Sequence, residues 1–124
     1  RVATRIQGGA KMAAADYVIL SRRRVEIQAV ANAATRDYDA VLMPTVPQIA
    51  PSIASLESNE ALYHTTNLLM LRNPSLGNFL DRSAVSLPCH EAGTAPVGLM
   101  VMGETMGDAK TLSVSAGIEA VLAK

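Results

Sequence analysis

A chain of 124 residues with 11 basic and 11 acidic side chains has no global field to attract a polyanion, so nucleic acid is not an expected partner. Its 49% hydrophobic content is that of a globular protein and excludes disorder, while no apolar run reaches the ~18–20 residues of a membrane span. The single cysteine, Cys89, excludes an internal disulfide and favours a reducing, cytoplasmic compartment.

The length fits one domain or part of a larger one, and a start at Arg1 instead of Met suggests that the chain is not an untouched translation product. Gly8 and Gly9 break the chain, and the stretch from Lys11 to Arg36 then runs without Gly or Pro and reads as one long helix. Leu20, Ile27, Ala31 and Ala34 recur at steps of seven, four and three as its apolar stripe. The basic run Arg22 to Arg24 is explained by a solvated face, with Arg22 placed to pair with Glu26 four residues on. Residues 39–44 form a short apolar run closed by Pro44, the pattern of a strand. Two further prolines make Thr45 to Pro51 an extended loop, and a helix is expected over about Asn59 to Met70. Asn73-Pro74 and Leu76-Gly77-Asn78 are turn signals.

Ala84 to Pro88 reads as the second strand, Glu91 to Ala95 as a loop, and Val97 to Met102 as the third strand. Asp108 is placed to cap a final helix with Val114, Ile118, Val121 and Leu122 on one face. The expected order is helix, strand, helix, strand, strand, helix. All three strands are nearly continuous apolar runs that call for cover on both sides, which places them inside a layered α/β protein. A segment of this kind, taken alone, should present faces and edges without neighbours and tend to form oligomers.

Catalytic motifs are sparse. No Gly-x-Ser-x-Gly turn occurs, and Gly107 to Thr111 puts two residues between its glycine and Lys110, so neither a nucleophile elbow nor a phosphate loop is present. His64, Cys89 and His90 lack metal-ligand spacing, and no metal or other cofactor is expected. Adjacent residues of an extended chain point apart, so Cys89-His90 reads as a packed, inert thiol beside a histidine in preference to a nucleophile pair. Asp81 and Arg82 read as a surface or interdomain ion pair, with a place in a substrate pocket as the alternative. Met100, Met102 and Met106 read as core packing, with a pliable binding surface as the alternative.

Several stretches together resemble the C-terminal portion of the amidase-signature family. They are Val2 to Gly9, Ala15-Asp16-Tyr17, Arg22 to Arg24, Asp39 to Pro47 with Ala50-Pro51, Asn78, Ser86 to Cys89, Ala95 to Gly103, and Asp108 with a helix containing Glu119. Each is weak alone; their order and spacing cover nearly the whole chain. The resemblance implies residues 1–124 as the C-terminal segment of an amidase domain, not a complete catalytic domain, within a large mixed sheet with helices on both faces. It also implies hydrolysis of a carboxylic amide by a serine nucleophile, a second serine in a cis peptide and a lysine. In the family these residues lie in a Gly/Ser-rich signature far upstream, and Lys11, Lys110 and Lys124 match none of it. No catalytic residue is therefore carried over, and the segment is expected to be inactive by itself.

For the substrate pocket, the resemblance implies that Pro44 and Thr45 (with Pro47 behind them) and the turn at Asn78 approach the acyl group. Arg5 matches an arginine that glutamine-using members place near the substrate carboxylate; an exposed N-terminal side chain is the alternative. Two departures matter. Leu80 to Ala84 stands where the family continues toward Gly-x-Pro-Ala, and Leu71 stands where glutamine-using members carry an acid. Without that acid an α-amino group is poorly held, which favours a small or hydrophobic amide. The expected partners are that amide and the missing N-terminal part, with a second copy of the chain possible and no nucleic acid or membrane. The A subunit of a glutamine-dependent tRNA amidotransferase and a non-catalytic α/β partner module are the alternative readings.

Overall fold

The computed structural model describes residues 2–123. Helix α1 (Val2–Gln7) leads through a 3-10 turn (Gly8–Lys11) into α2 (Ala14–Thr35), then β1 (Val41–Pro44), α3 (Ile53–Glu57), α4 (Glu60–Leu80), β2 (Ala84–Pro88), β3 (Gly98–Met102) and α5 (Asp108–Leu122). The expected order holds, with α1 and α3 added. The chain is α/β, with a three-stranded sheet in the order β1-β3-β2 whose two pairings are both antiparallel.

The register sorts the side chains. Met102 pairs with Val41 and Ala84, Met100 with Met43 and Ser86, and Val101 with Leu42 and Val85. Alternation therefore sets Val41, Met43, Ala84, Ser86, Met100 and Met102 on one face, and Leu42, Val85, Leu87, Leu99 and Val101 on the other. β3 is the central strand, and Met100, Val101 and Met102 are buried on both faces. The apolar runs call for cover on both sides of all three strands, but β1 and β2 are edges and Leu42 stays 52% exposed. Met100 and Met102 are core residues as expected; Met106 is 90% exposed at positive φ.

α4 outruns its predicted end by ten residues, passing through both turn signals. Proline inside a helix removes one N–H and costs ~3 kcal/mol, and the residue before it is biased out of the helical region. Tertiary contacts outweigh that bias here. Asn73 Nδ2 donates to the Pro44 carbonyl at 2.7 Å. A Cβ added at Gly77 would lie 3.5 Å from Met102 Sδ, which sets that turn of α4 against the sheet. The helix ends instead at Asp81, in the left-handed region at φ 59°, ψ 44°. Arg82 N–H donates to the Gly77 carbonyl at 3.0 Å and Asp81 N–H to the Asn78 carbonyl at 3.3 Å, closing the last turn.

α2 corrects two further expectations. None of its 22 residues is buried, and Leu20 and Ile27 of the expected stripe are 54% and 48% exposed. Its bonds to the rest of the chain are polar, through Arg24, Gln28, Asn32 and Thr35. The ion pair of the basic run is Arg23 with Glu26 at 2.6 Å, not Arg22 with Glu26. At α5 the cap is Gly107, which has no side chain to offer, and Asp108 is the first helical residue.

Candidate functional site

Arg5 lies in a hollow of about 870 Å³ between α1 and the first half of α4. Glu60, Tyr63, His64, Asn67 and Leu71 line it from α4, at spacings that share one side of a helix. The ring of Tyr63 meets that of His64 edge to face with centroids 5.7 Å apart. His64 Nε2 stands 3.7 Å from Glu60 Oε1, one turn back. A cation and a leucine thus face one space wide enough for a small molecule.

Pro44 and Thr45 lie at the end of β1. The Pro44 carbonyl accepts from Asn73, Thr45 N–H donates to the Gly98 carbonyl at 2.8 Å, and Thr45 Oγ1 is 2.6 Å from Ser86 Oγ. Asn78 is helical, not the expected turn, and lines a separate hollow of about 300 Å³ with Asp81, Arg82, Ser83 and Asp108. The structure thus does not gather Arg5, Pro44, Thr45 and Asn78 into one hollow; α4 is the element that runs past all of them.

Arg24 anchors the far end of α4. Its Nε donates to the Phe79 carbonyl at 2.8 Å and its Nη2 to the Asn78 carbonyl at 2.9 Å. Gln28 Nε2 adds a bond to Phe79 at 3.2 Å. A cation thus sits where the helix carries its partial negative charge. The planar fork aims two N–H groups at the two acceptors in a fixed geometry that a lysine's single ammonium does not reproduce. Arg24→Lys is expected to cost about 1 kcal/mol, read as a lower denaturant midpoint; an unchanged midpoint would show that this cap contributes nothing.

Two expectations about charged or reactive pairs are corrected. Arg82 does not pair with Asp81; its Nη2 donates to Asn32 Oδ1 at 2.8 Å and Thr35 Oγ1 at 2.7 Å on α2. Cys89 is exposed, not packed. The bend at His90 turns its ring toward the same carbonyl as the thiol: Cys89 Sγ is 3.6 Å and His90 Nδ1 3.3 Å from the Val97 oxygen. Among the described residues no group of three or more His, Cys, Asp or Glu is arranged to hold a metal ion. No helix of the described residues is long and apolar enough to cross a membrane.

The sequence reading missed Asn73, Ser86 and Gly98 around Thr45. Gly98 carried a usable signal, since glycine within an apolar strand marks a close approach. Asn73 carried none, because Asn-Pro reads as a turn.

The Amidase family model matches residues 1–112. The chain is 30% identical to 2-amino-5-chloromuconic acid deaminase of Comamonas testosteroni over 98% of this chain and 26% of that protein. It is 34% identical to fatty acid amide hydrolase of Oryza sativa subsp. indica over 88% of this chain and 18% of that protein. The crystal structure of the A subunit of glutamyl-tRNA(Gln) amidotransferase from Thermotoga maritima superposes with a TM-score of 0.57 at 27% identity, covering 89% of this chain and 24% of that one. The chain therefore spans about a quarter or less of these relatives, and it belongs to the Amidase family.

Proposed function

We propose that residues 1–124 are the C-terminal segment of an amidase that hydrolyses a carboxylic amide in the cytoplasm. The nucleophilic serine, the bridging cis-peptide serine and the lysine lie in the preceding part of the same protein. There the neutral lysine amine takes the proton of the nucleophile through the bridging serine, and backbone amides hold the oxyanion. The segment contributes part of the sheet, its covering helices and a wall of the pocket, and does not turn over amides by itself.

Within this reading Arg5 binds a carboxylate or carbonyl of the substrate, Pro44 and Thr45 border the acyl group, and Asn78 shapes the end of the wall. The observation that carries the substrate class is Leu71 in the same hollow as Arg5. A leucine there offers an apolar surface in place of an acid, and Glu60, the acid that lines the hollow, stands about three turns away on α4 beside His64, so the enzyme prefers an aryl or aliphatic amide to glutamine. Steady-state turnover of benzamide and glutamine by the intact enzyme tests this. The parent is expected to favour benzamide, and Leu71→Asp to move the ratio of kcat/KM toward glutamine at least tenfold, the scale of one charged hydrogen bond. A parent that prefers glutamine would overturn the assignment.

A second reading, the A subunit of an amidotransferase, is supported by the likeness to the Thermotoga maritima structure. It requires glutamine as the ammonia source and further protein partners, and the same assay separates it from the first. In either case a second copy of this chain is a candidate partner for the exposed apolar faces.

A further inference from the structure

β1 and β2 are not neighbours in the sheet, for β3 lies between them. A side-chain bond nevertheless links the residue after β1 to β2. Thr45 follows the last residue of β1 and stands beside Gly98, to whose carbonyl its N–H donates at 2.8 Å. From there its hydroxyl reaches across the central strand to Ser86 Oγ of β2, 2.6 Å away. The crossing passes over Gly98. A Cβ at that position would lie 2.6 Å from Ser86 Oγ and 2.8 Å from Thr45 Oγ1, inside any permitted contact. Only glycine leaves room for the two hydroxyls to meet.

The same short segment is held from a third side, because Asn73 on α4 donates to the Pro44 carbonyl at 2.7 Å. Beyond Thr45 the chain enters a loop without regular structure up to α3, with prolines at 47 and 51. Thr45 is thus the last point at which that loop is hydrogen-bonded to the sheet, and among the described residues its hydroxyl is bonded by Ser86.

We propose that Ser86 is a positioning residue. Through its hydroxyl bond over Gly98 it sets the side chain of Thr45, and so the pocket wall at the end of β1. The proposal rests on the reading of Thr45 as a wall residue. Ser86 does not touch the amide; it acts through Thr45.

The test is steady-state kinetics of the intact enzyme with p-nitroacetanilide, benzamide and glutamine, using the amide the parent turns over best. Ser86→Ala and Thr45→Val are each expected to raise KM about three- to tenfold, the range of one neutral hydrogen bond, with kcat within twofold. The double variant is expected to be no worse than Thr45→Val, since both remove one interaction. Ser86→Thr, which keeps the hydroxyl on a strand-compatible side chain, is expected to restore the parental KM. A parental KM in Ser86→Ala beside a raised KM in Thr45→Val overturns the positioning role alone, as do multiplying effects in the double variant. A fall in kcat at constant KM in Ser86→Ala, the mark of a smaller folded fraction, overturns it too. A parental KM in Thr45→Val overturns the wall reading and the proposal with it, and an enzyme that turns over none of the three amides overturns the amidase reading itself.

Discussion

Gly103→Ala is expected to destabilise the protein by about 1–3 kcal/mol, the range of an overpacked core, although it adds a single methyl group. Gly103 follows β3, and its N–H donates to the Ser83 carbonyl at 2.9 Å. A Cβ there would overlap Thr111 Oγ1, with Ser83 Oγ at 3.1 Å and Thr111 Cβ at 3.2 Å. Thr111 cannot swing away cheaply. It is 1% exposed, and its hydroxyl donates to the Gly107 carbonyl at 2.9 Å and lies 2.7 Å from Ser83 Oγ. Either α5 withdraws from the sheet or the strand exit bends. Adding Thr111→Ala removes the closest atom, leaving contacts that a shift of a few tenths of an ångström relieves. The pair is therefore expected to be less unstable than the sum of the two single variants, a coupling between touching residues. Denaturant midpoints of the four proteins measure this. A Gly103→Ala midpoint equal to the parent would mean that α5 does not approach the sheet this closely.

The three strands were legible because each is a short apolar run bounded by proline or glycine, and such runs have few other uses. Their sequence could not tell which would be central. That followed from the order β1-β3-β2, which buries Met100, Val101 and Met102 and leaves Leu42 at an edge. The end of α4 was misread because Asn73-Pro74 and Gly77 are local breakers, whereas the groups that keep the helix intact, the Pro44 carbonyl and Met102, are distant in sequence. The stripe of α2 was misread for the opposite reason. Its apolar residues are spread around the helix, and the side that meets α4 and the following residues is chosen by Arg24, Gln28, Asn32 and Thr35. Of the candidate pocket, the residue types could be named from a resemblance, but that Arg5 and Leu71 share a hollow, and that Thr45 reaches Ser86, are consequences of packing.

The 124-residue chain, produced by itself, is expected to self-associate and to bind a hydrophobic dye strongly. Its accessible surface is 8997 Å². A compact monomer of 13.1 kDa exposes about 6,400 Å². An unfolded chain of that mass exposes about 19,000 Å², so folding buries a little over half where about two-thirds is usual. Large apolar side chains on the helices are part of that exposed surface. Tyr17, Val18, Ile19, Leu20, Val25, Ile27 and Val30 are all exposed along α2, and Leu112, Val121 and Leu122 along α5. Large apolar side chains left in water along a helix call for cover, and extended exposed apolar surface marks faces that meet a neighbour. The polar bonds between α2 and α4 are too few to replace that cover. Under the proposed function, supplying the preceding part of the amidase in the same cell is expected to suppress both the association and the dye signal, because that reading gives those faces their neighbours. Light scattering of the chain with and without that part decides the matter. A monodisperse monomer that unfolds in one two-state step, with equal dye fluorescence in both samples, would mean that the exposed helices need no neighbour.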